Sequence, residues 1–155
     1  MTDRDRATRG VLDDLLTRIG ARCGLAMRLN DAGVCGLRYG ADLACSVELD
    51  AEAGDCLVVA VVQELDGMAP AAQARALKQV LAANDRWIAA TGLRPVVADG
   101  GRQRLLLLAR LPVDGLSESR LEDAISAVIR HGEQLRADVA AGEGALTPVQ
   151  ASISA

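Results

Sequence analysis

The sequence predicts an α+β fold, an antiparallel twisted sheet of five to six strands with three helices in the order α-β-β-β-β-α-β-β-α, assembled as a homodimer. Three observations carry this. Apolar residues alternate with polar ones in two separate blocks, Leu25–Leu65 and Leu93–Leu111, the pattern of half-buried strands. They recur at helical spacing before, between and after those blocks. Finally, Leu57–Val62 and Leu105–Leu108 are apolar on both faces and need cover on both sides, more than three helices of one small chain supply.

The chain is organised around the middle helix, Pro70–Gly92. Proline opens it where a missing N–H costs nothing, and glycine closes it. Its stripe, Leu77, Val80, Leu81, Asn84, Trp87 and Ile88, carries the only tryptophan of a chain in which aromatic residues make up 1%. A helix between two blocks of strand sequence joins two half-sheets, and part of this stripe is expected to face a second copy.

The first helix spans about Thr8 to Arg22, with Val11, Leu12, Leu15, Leu16 and Ile19 on its apolar side and Gly20 and Gly24 at its end. Leu25, Met27 and Leu29, the turn Asn30–Gly33, and Cys35, Leu37 and Tyr39 then read as a β-hairpin. Leu43, Cys45, Val47 and Leu49 form a third strand. The turn Asp50–Asp55 leads to the fourth, Cys56–Leu65. After the middle helix, Asp99-Gly100-Gly101 joins two more strands, the first placed at a sheet edge by Pro95, which cannot donate to a ladder. Ser117 or Ser119, the latter with Glu122 in a capping box, opens the last helix, whose apolar positions are Leu121, Ala124, Ile125, Val128, Ile129, Leu135 and Val139. One domain over residues 1–140 is expected, with a flexible tail over 141–155, where periodicity ends.

At 155 residues, half of them hydrophobic, the chain has the size of one domain with a real core. Its 17 basic and 21 acidic residues give a net charge of −4, and no basic run suggests a nucleic-acid partner. No apolar run reaches bilayer length, and the charged start MTDRDRATRG has no apolar signal core behind it, so a soluble cytoplasmic protein is expected. Cys23, Cys35, Cys45 and Cys56 stand ten to twelve residues apart, without the spacing of a zinc or redox site, and are expected to be reduced packing residues. No metal or other cofactor is called for.

A catalytic set is also missing. His131 is the only histidine and falls among Arg130, Glu133 and Gln134, the surroundings of a solvated surface residue. Asp13-Asp14 and Glu122-Asp123 are adjacent on helices, so their side chains diverge by about 100° and do not converge on one proton. Gly100-Gly101 lacks both the dinucleotide glycine pattern and a phosphate-loop lysine. Binding is favoured over catalysis.

The assembled segments resemble the class I type III secretion chaperones, the Tir-chaperone (CesT-like) family, over about residues 11–140. The resemblance rests on DLLTRIGARCGLAMRLNDAGVCGLRYG, on Leu81–Gly92 with its LxxAN-then-TG pattern, and on Leu111–Leu116, L-P-V-D-x-L, leading into the last helix. The chain departs from the family at Leu93-Arg94-Pro95, where a second glycine is common, and at Leu135, where an aromatic is common. The resemblance implies a cytoplasmic homodimer that binds N-terminal segments of secreted effectors, keeps them extended and delivers them to the secretion ATPase. It places Leu77, Val80, Leu81, Asn84, Trp87 and Ile88 at the dimer interface. The alternative is a dimeric regulator or adaptor of similar fold outside secretion.

The first-helix stripe covers nearly half the helix circumference, wider than one sheet contact needs, so part of it is expected to stay exposed as a peptide groove. The effector-binding candidates are Leu12, Leu15, Leu16 and Ile19 on that helix, joined, through the resemblance, by Leu29 and Leu37 on the early strands.

Overall fold

The computed structural model describes residues 2–40 and 43–142. The elements are α1 (Asp3–Cys23), β1 (Val34–Tyr39), β2 (Leu43–Asp50), β3 (Asp55–Glu64), α2 (Pro70–Thr91), β4 (Arg94–Asp99), β5 (Gln103–Pro112) and α3 (Glu118–Ala141). All five strands form one antiparallel sheet in the order β1-β2-β3-β5-β4. The chain leaves β3 through α2, reaches the far edge as β4, and returns by a hairpin so that β5 fills the gap. Pro95 therefore sits on an edge strand, as its missing N–H requires.

Side chains alternate across a strand, so the position of α3 sorts the two faces of the sheet. A Cβ built on Gly132 of α3 would lie 3.2 Å from the Cβ of Ala60, so α3 rests closely on the face that also carries Cys56, Val58 and Val62. The remaining helices lie on this side too. Trp87 of α2 meets His131 of α3 edge to face, with ring centroids 5.6 Å apart, and Arg18 and Arg22 of α1 bridge to Glu118 and Glu122 of α3. One core results, with Leu12, Leu16, Val47, Val58, Ala60, Trp87, Leu105, Leu107, Leu121 and Leu135 fully enclosed. The opposite face carries Leu57, Val59, Val61, Val96, Leu106 and Leu108, paired across the strands as Val59 with Leu108 and Leu106 with both Val61 and Val96, and none of the three described helices covers it.

Three expectations need correction. Leu25–Leu29 is not a strand. It runs back along α1, whose side chains take the hydrogen bonds a ladder would supply: the Leu29 N–H donates to Asp13 Oδ1 at 2.7 Å, and Arg9 donates to the Leu29 and Asn30 carbonyls. The close approach requires Gly20, where a Cβ would stand 2.4 Å from the Leu25 carbonyl oxygen. Gly20 is thus inside α1, and Gly24 alone caps it in the left-handed conformation. The first helix also begins earlier than its apolar stripe, because Thr2 and Asp5 form a capping box: the Asp5 N–H donates to Thr2 Oγ1 at 3.2 Å and the Thr2 N–H to Asp5 Oδ2 at 2.7 Å. That backbone donor holds the Asp5 carboxyl below its ordinary pKa.

The third correction concerns His131, which is 4% exposed and not solvated. It follows Val128 by three positions on α3 and shares its inward side, whereas Arg130 and Glu133 are exposed. Of the two serines proposed to cap α3, Ser117 is the cap, its Oγ accepting from the Arg120 N–H at 3.3 Å, and Glu122 pairs with Arg22 instead of closing a box. Ala141 ends α3 and Gly142 caps it; the rest of the expected tail, 143–155, lies outside the described residues.

Candidate peptide-binding groove

A groove of about 590 Å³ opens between the C-terminal end of α1, the Leu25–Met27 segment, the edge strand β1 and the first turns of α3. Ile19, Met27, Leu37, Ile125 and Ile129 give it an apolar lining, Cys23, Leu25 and Tyr39 stand at its rim, and Glu122 and Asp123 close one end. Leu25 is 58% exposed and Tyr39 51%, a large apolar outlay among the described residues. β1 pairs with β2 on one side only; its outer edge is taken at Val34 by Asn30, whose side chain accepts from the Val34 N–H and whose N–H donates to the Val34 carbonyl, and from Gly36 onward it is available to an added strand. A second hollow continues past Tyr39 along α3 toward Glu133, Arg136 and Ala140. These features can hold an extended segment by main-chain hydrogen bonds and side-chain pockets.

The structure separates the effector-binding candidates. Ile19 and Leu37 line the groove. Leu12 and Leu16 are 0% exposed, and Leu15 and Leu29 are also buried, so these four support α1 and the segment beside it from within. The wide stripe on α1 is consumed by contacts to sheet, α3 and the returning segment, which leaves Val11 as its exposed member. The groove residues that sequence reasoning missed are Leu25, Met27, Ile125 and Ile129. Met27 and Leu25 were assigned to a strand, and Ile125 and Ile129 were counted as core of the last helix, although they lie beside the inward line Leu121, Val128 and Leu135 and are only partly buried.

The candidates on α2 divide as well. Val80 and Trp87 point into the core together with Ala76 and Ala83. Leu77, Asn84 and Ile88 are partly buried, Leu77 packing against the core and Asn84 Oδ1 being enclosed without a hydrogen-bond partner, while Leu81 is 74% exposed. The stripe read from the sequence therefore divides into an inward side used within the chain and an outward edge at Leu81.

Cys35, Cys45 and Cys56 are buried, and burial pushes their thiols up, Cys45 to about 11 and Cys56 to about 12. They stay protonated at neutral pH. Cys23 is exposed. Among the described residues no group of three His, Cys, Asp or Glu side chains could hold a metal ion, and no helix is long and apolar enough to cross a membrane.

The chain folds as a helix-backed five-strand sheet with a groove at its β1 edge. The same architecture occurs in the crystal structure of the ExsC–ExsE complex, which matches with a TM-score of 0.71 at 20% identity over 83% of this chain and 93% of that one. It occurs in the HopA1–SchA chaperone–effector complex, with a TM-score of 0.69 at 12% identity over 84% and 97%. The ExoU–SpcU heterodimer of the Pseudomonas aeruginosa type III secretion system matches with a TM-score of 0.55 at 18% identity over 81% and 95%. No curated protein sequence matches the chain. The model of the Tir chaperone protein (CesT) family matches residues 14–136, and the chain belongs to that family.

Proposed function

We propose that the protein is a homodimeric type III secretion chaperone that binds N-terminal segments of secreted effectors, keeps them extended and hands them to the secretion ATPase, acting in the cytoplasm by binding and not by catalysis. Family membership supports the chaperone reading. The observation that carries the binding mode is the apolar groove beside the unpaired edge of β1. An incoming segment adds a strand to β1 and sinks alternate side chains between Ile19, Leu37, Ile125 and Ile129. Ordering such a segment costs roughly 2–5 kcal/mol, which the buried apolar side chains offset.

The homodimer reading rests on two surfaces, the outward edge of α2 at Leu81 with the half-buried Ile88, and the sheet face centred on Val59 and Leu108, which the described helices leave uncovered. Charged residues rim that face, with Arg110 bridging Asp50 and Asp55 at 2.6 and 3.0 Å. An apolar centre with a polar rim is the anatomy of a subunit interface.

Co-expression with the effector encoded nearby, followed by calorimetry with its N-terminal segment, tests the function. Ile129→Glu and Leu37→Glu should each weaken binding by about the 1.5–3 kcal/mol of one buried aliphatic side chain while the fold is retained. Wild-type affinity in both would place the client elsewhere. Leu81→Glu should give monomer by light scattering, and an unchanged dimer would remove α2 from the interface.

A further inference from the structure

We infer that the segment held in the groove carries a basic side chain, lysine or arginine, beside one of its apolar anchors, and that this cation sits against Asp123. The inference rests on the groove being the client site, as proposed above, and adds the chemistry of what enters it.

The ion pairs at the α1–α3 end of the groove leave one carboxylate out, and Arg120, one turn before it on α3, makes no bridge to it. Three carboxylates gather at the start of α3: Glu118, Glu122 and Asp123. Two are neutralised from α1, Glu118 by Arg18 at 3.0 Å and by Arg22, and Glu122 by Arg22. Asp123 is exposed, lines the groove, and has no cationic partner among the described residues. Arg38 also lines the groove, but it follows Leu37 on β1, and strand alternation sends its side chain toward the opposite sheet face.

One uncompensated carboxylate therefore stands beside Ile19, Ile125 and the exposed Leu25. Once an apolar segment covers those side chains, water around Asp123 is partly displaced and its field is less screened than on an open surface. An acidic residue docked there is repelled, a neutral one leaves the carboxylate without a partner, and a basic one pairs with it. The groove thus selects for charge at one position while its floor selects for bulk.

A display library of random seven-residue peptides, selected on the full-length protein, supplies the probe. Peptides with lysine or arginine next to an aliphatic residue should be enriched, and selection on Asp123→Lys should enrich aspartate or glutamate at the same position. The best basic peptide should bind Asp123→Asn about two- to five-fold more weakly, the range of an exposed ion pair, and lose affinity as salt rises. Cys23 locates the peptide without any added label, because it is the exposed cysteine and lies at the groove rim. Bound peptide should slow its alkylation. Peptides that protect Cys23 but show no basic preference, or the same preference on Asp123→Lys, would overturn the charge inference and leave the groove standing. Peptides that leave Cys23 alkylation unchanged, or a library that yields no binders, would overturn the groove itself. Asp123 is solvent-exposed, so its substitutions do not put the fold at risk.

Discussion

The two faces of the sheet are built from the same strands and nearly the same residue types, yet they have opposite fates. On β3, Cys56, Val58, Ala60 and Val62 lie under the helices and are sealed, while Leu57, Val59 and Val61 look out from the other side with none of the described helices over them. Val59 is still only 7% exposed, because in-plane neighbours such as Ser46 and Leu108 crowd it. A strand that is apolar on both sides therefore states that both sides will be covered, not that its own chain covers them. The α2 helix repeats the lesson on a smaller scale, with Val80 and Trp87 turned in and Leu81 turned out.

The sharpest test of that contrast places the same charge at neighbouring positions. Val58→Asp buries a carboxylate among enclosed side chains, costs several kcal/mol and should leave no folded protein in a thermal melt. Val61→Asp, three residues on and facing the other way, should leave a folded monomer and disperse the proposed dimer in light scattering. Equal loss of folded protein in both variants would erase the distinction between the faces.

Next in size is Trp87→Ala. Trp87 is fully enclosed between α2, the sheet and His131, so its truncation should cost about 3–5 kcal/mol by denaturant titration. Leu81→Ala on the outward edge should alter monomer stability by less than about 0.5 kcal/mol. If Trp87→Ala instead dissociated the dimer with no change in monomer stability, the inward and outward assignments on α2 would be reversed.

The groove rests on a close backbone approach, and Gly20→Ala probes it with a smaller effect. A Cβ at that position meets the Leu25 carbonyl at 2.4 Å and the Met27 Cβ at 3.1 Å, so the Leu25–Leu29 segment must shift, at roughly 1–3 kcal/mol of stability. Weakened binding of an effector segment, larger than the loss from an equally destabilising core variant, would tie the groove to this segment. Equal losses would reduce Gly20 to a packing residue.

These contrasts also mark what was legible in the sequence. The three helices, the succession of strands along the chain from Cys35 onward and the edge position of Pro95 follow from periodicity and proline chemistry, which are local; the insertion of β5 between β3 and β4 does not. The Leu25–Leu29 segment has the alternation of a strand, but its partner is the helix before it, and the Asp13 and Arg9 contacts that replace a ladder lie 16 to 21 residues away in sequence. For the groove, sequence reasoning named Ile19 and Leu37 and missed Leu25, Ile125 and Ile129, because which apolar residues of a wide stripe stay open depends on how many neighbours arrive. Leu12 and Leu16 show the converse: both are fully buried and nothing is left to face a client. His131 was misread for a related reason. Its flanking Arg130 and Glu133 are polar, but helical geometry turns them about 100° and 200° away from it.

The effect expected to be smallest comes from that histidine. Burial, and secondly the charge of Arg130, lower the pKa of His131 below its ordinary value near 6.5. The folded chain therefore holds it neutral in a range where the unfolded chain has begun to protonate it. As pH falls below about 6.5 the unfolded state takes up a proton that the native state refuses, so stability declines until the native pKa is reached; above about 6.5 the term vanishes. His131 is the only histidine in the chain, and histidine is the side chain whose ordinary pKa lies in this window, so the slope of melting temperature between about pH 6.5 and 5.5 reports largely on one ring. His131→Phe keeps an aromatic edge against Trp87 and removes the proton site. It should flatten that slope while leaving the neutral-pH melt close to wild type, and it should leave Val61→Asp dispersal of the dimer unaltered, because His131 belongs to the covered face alone. A wild-type slope in His131→Phe would mean that the acid sensitivity comes from carboxylates, with the Arg18, Arg22, Glu118 and Glu122 bridges between α1 and α3 the first to examine.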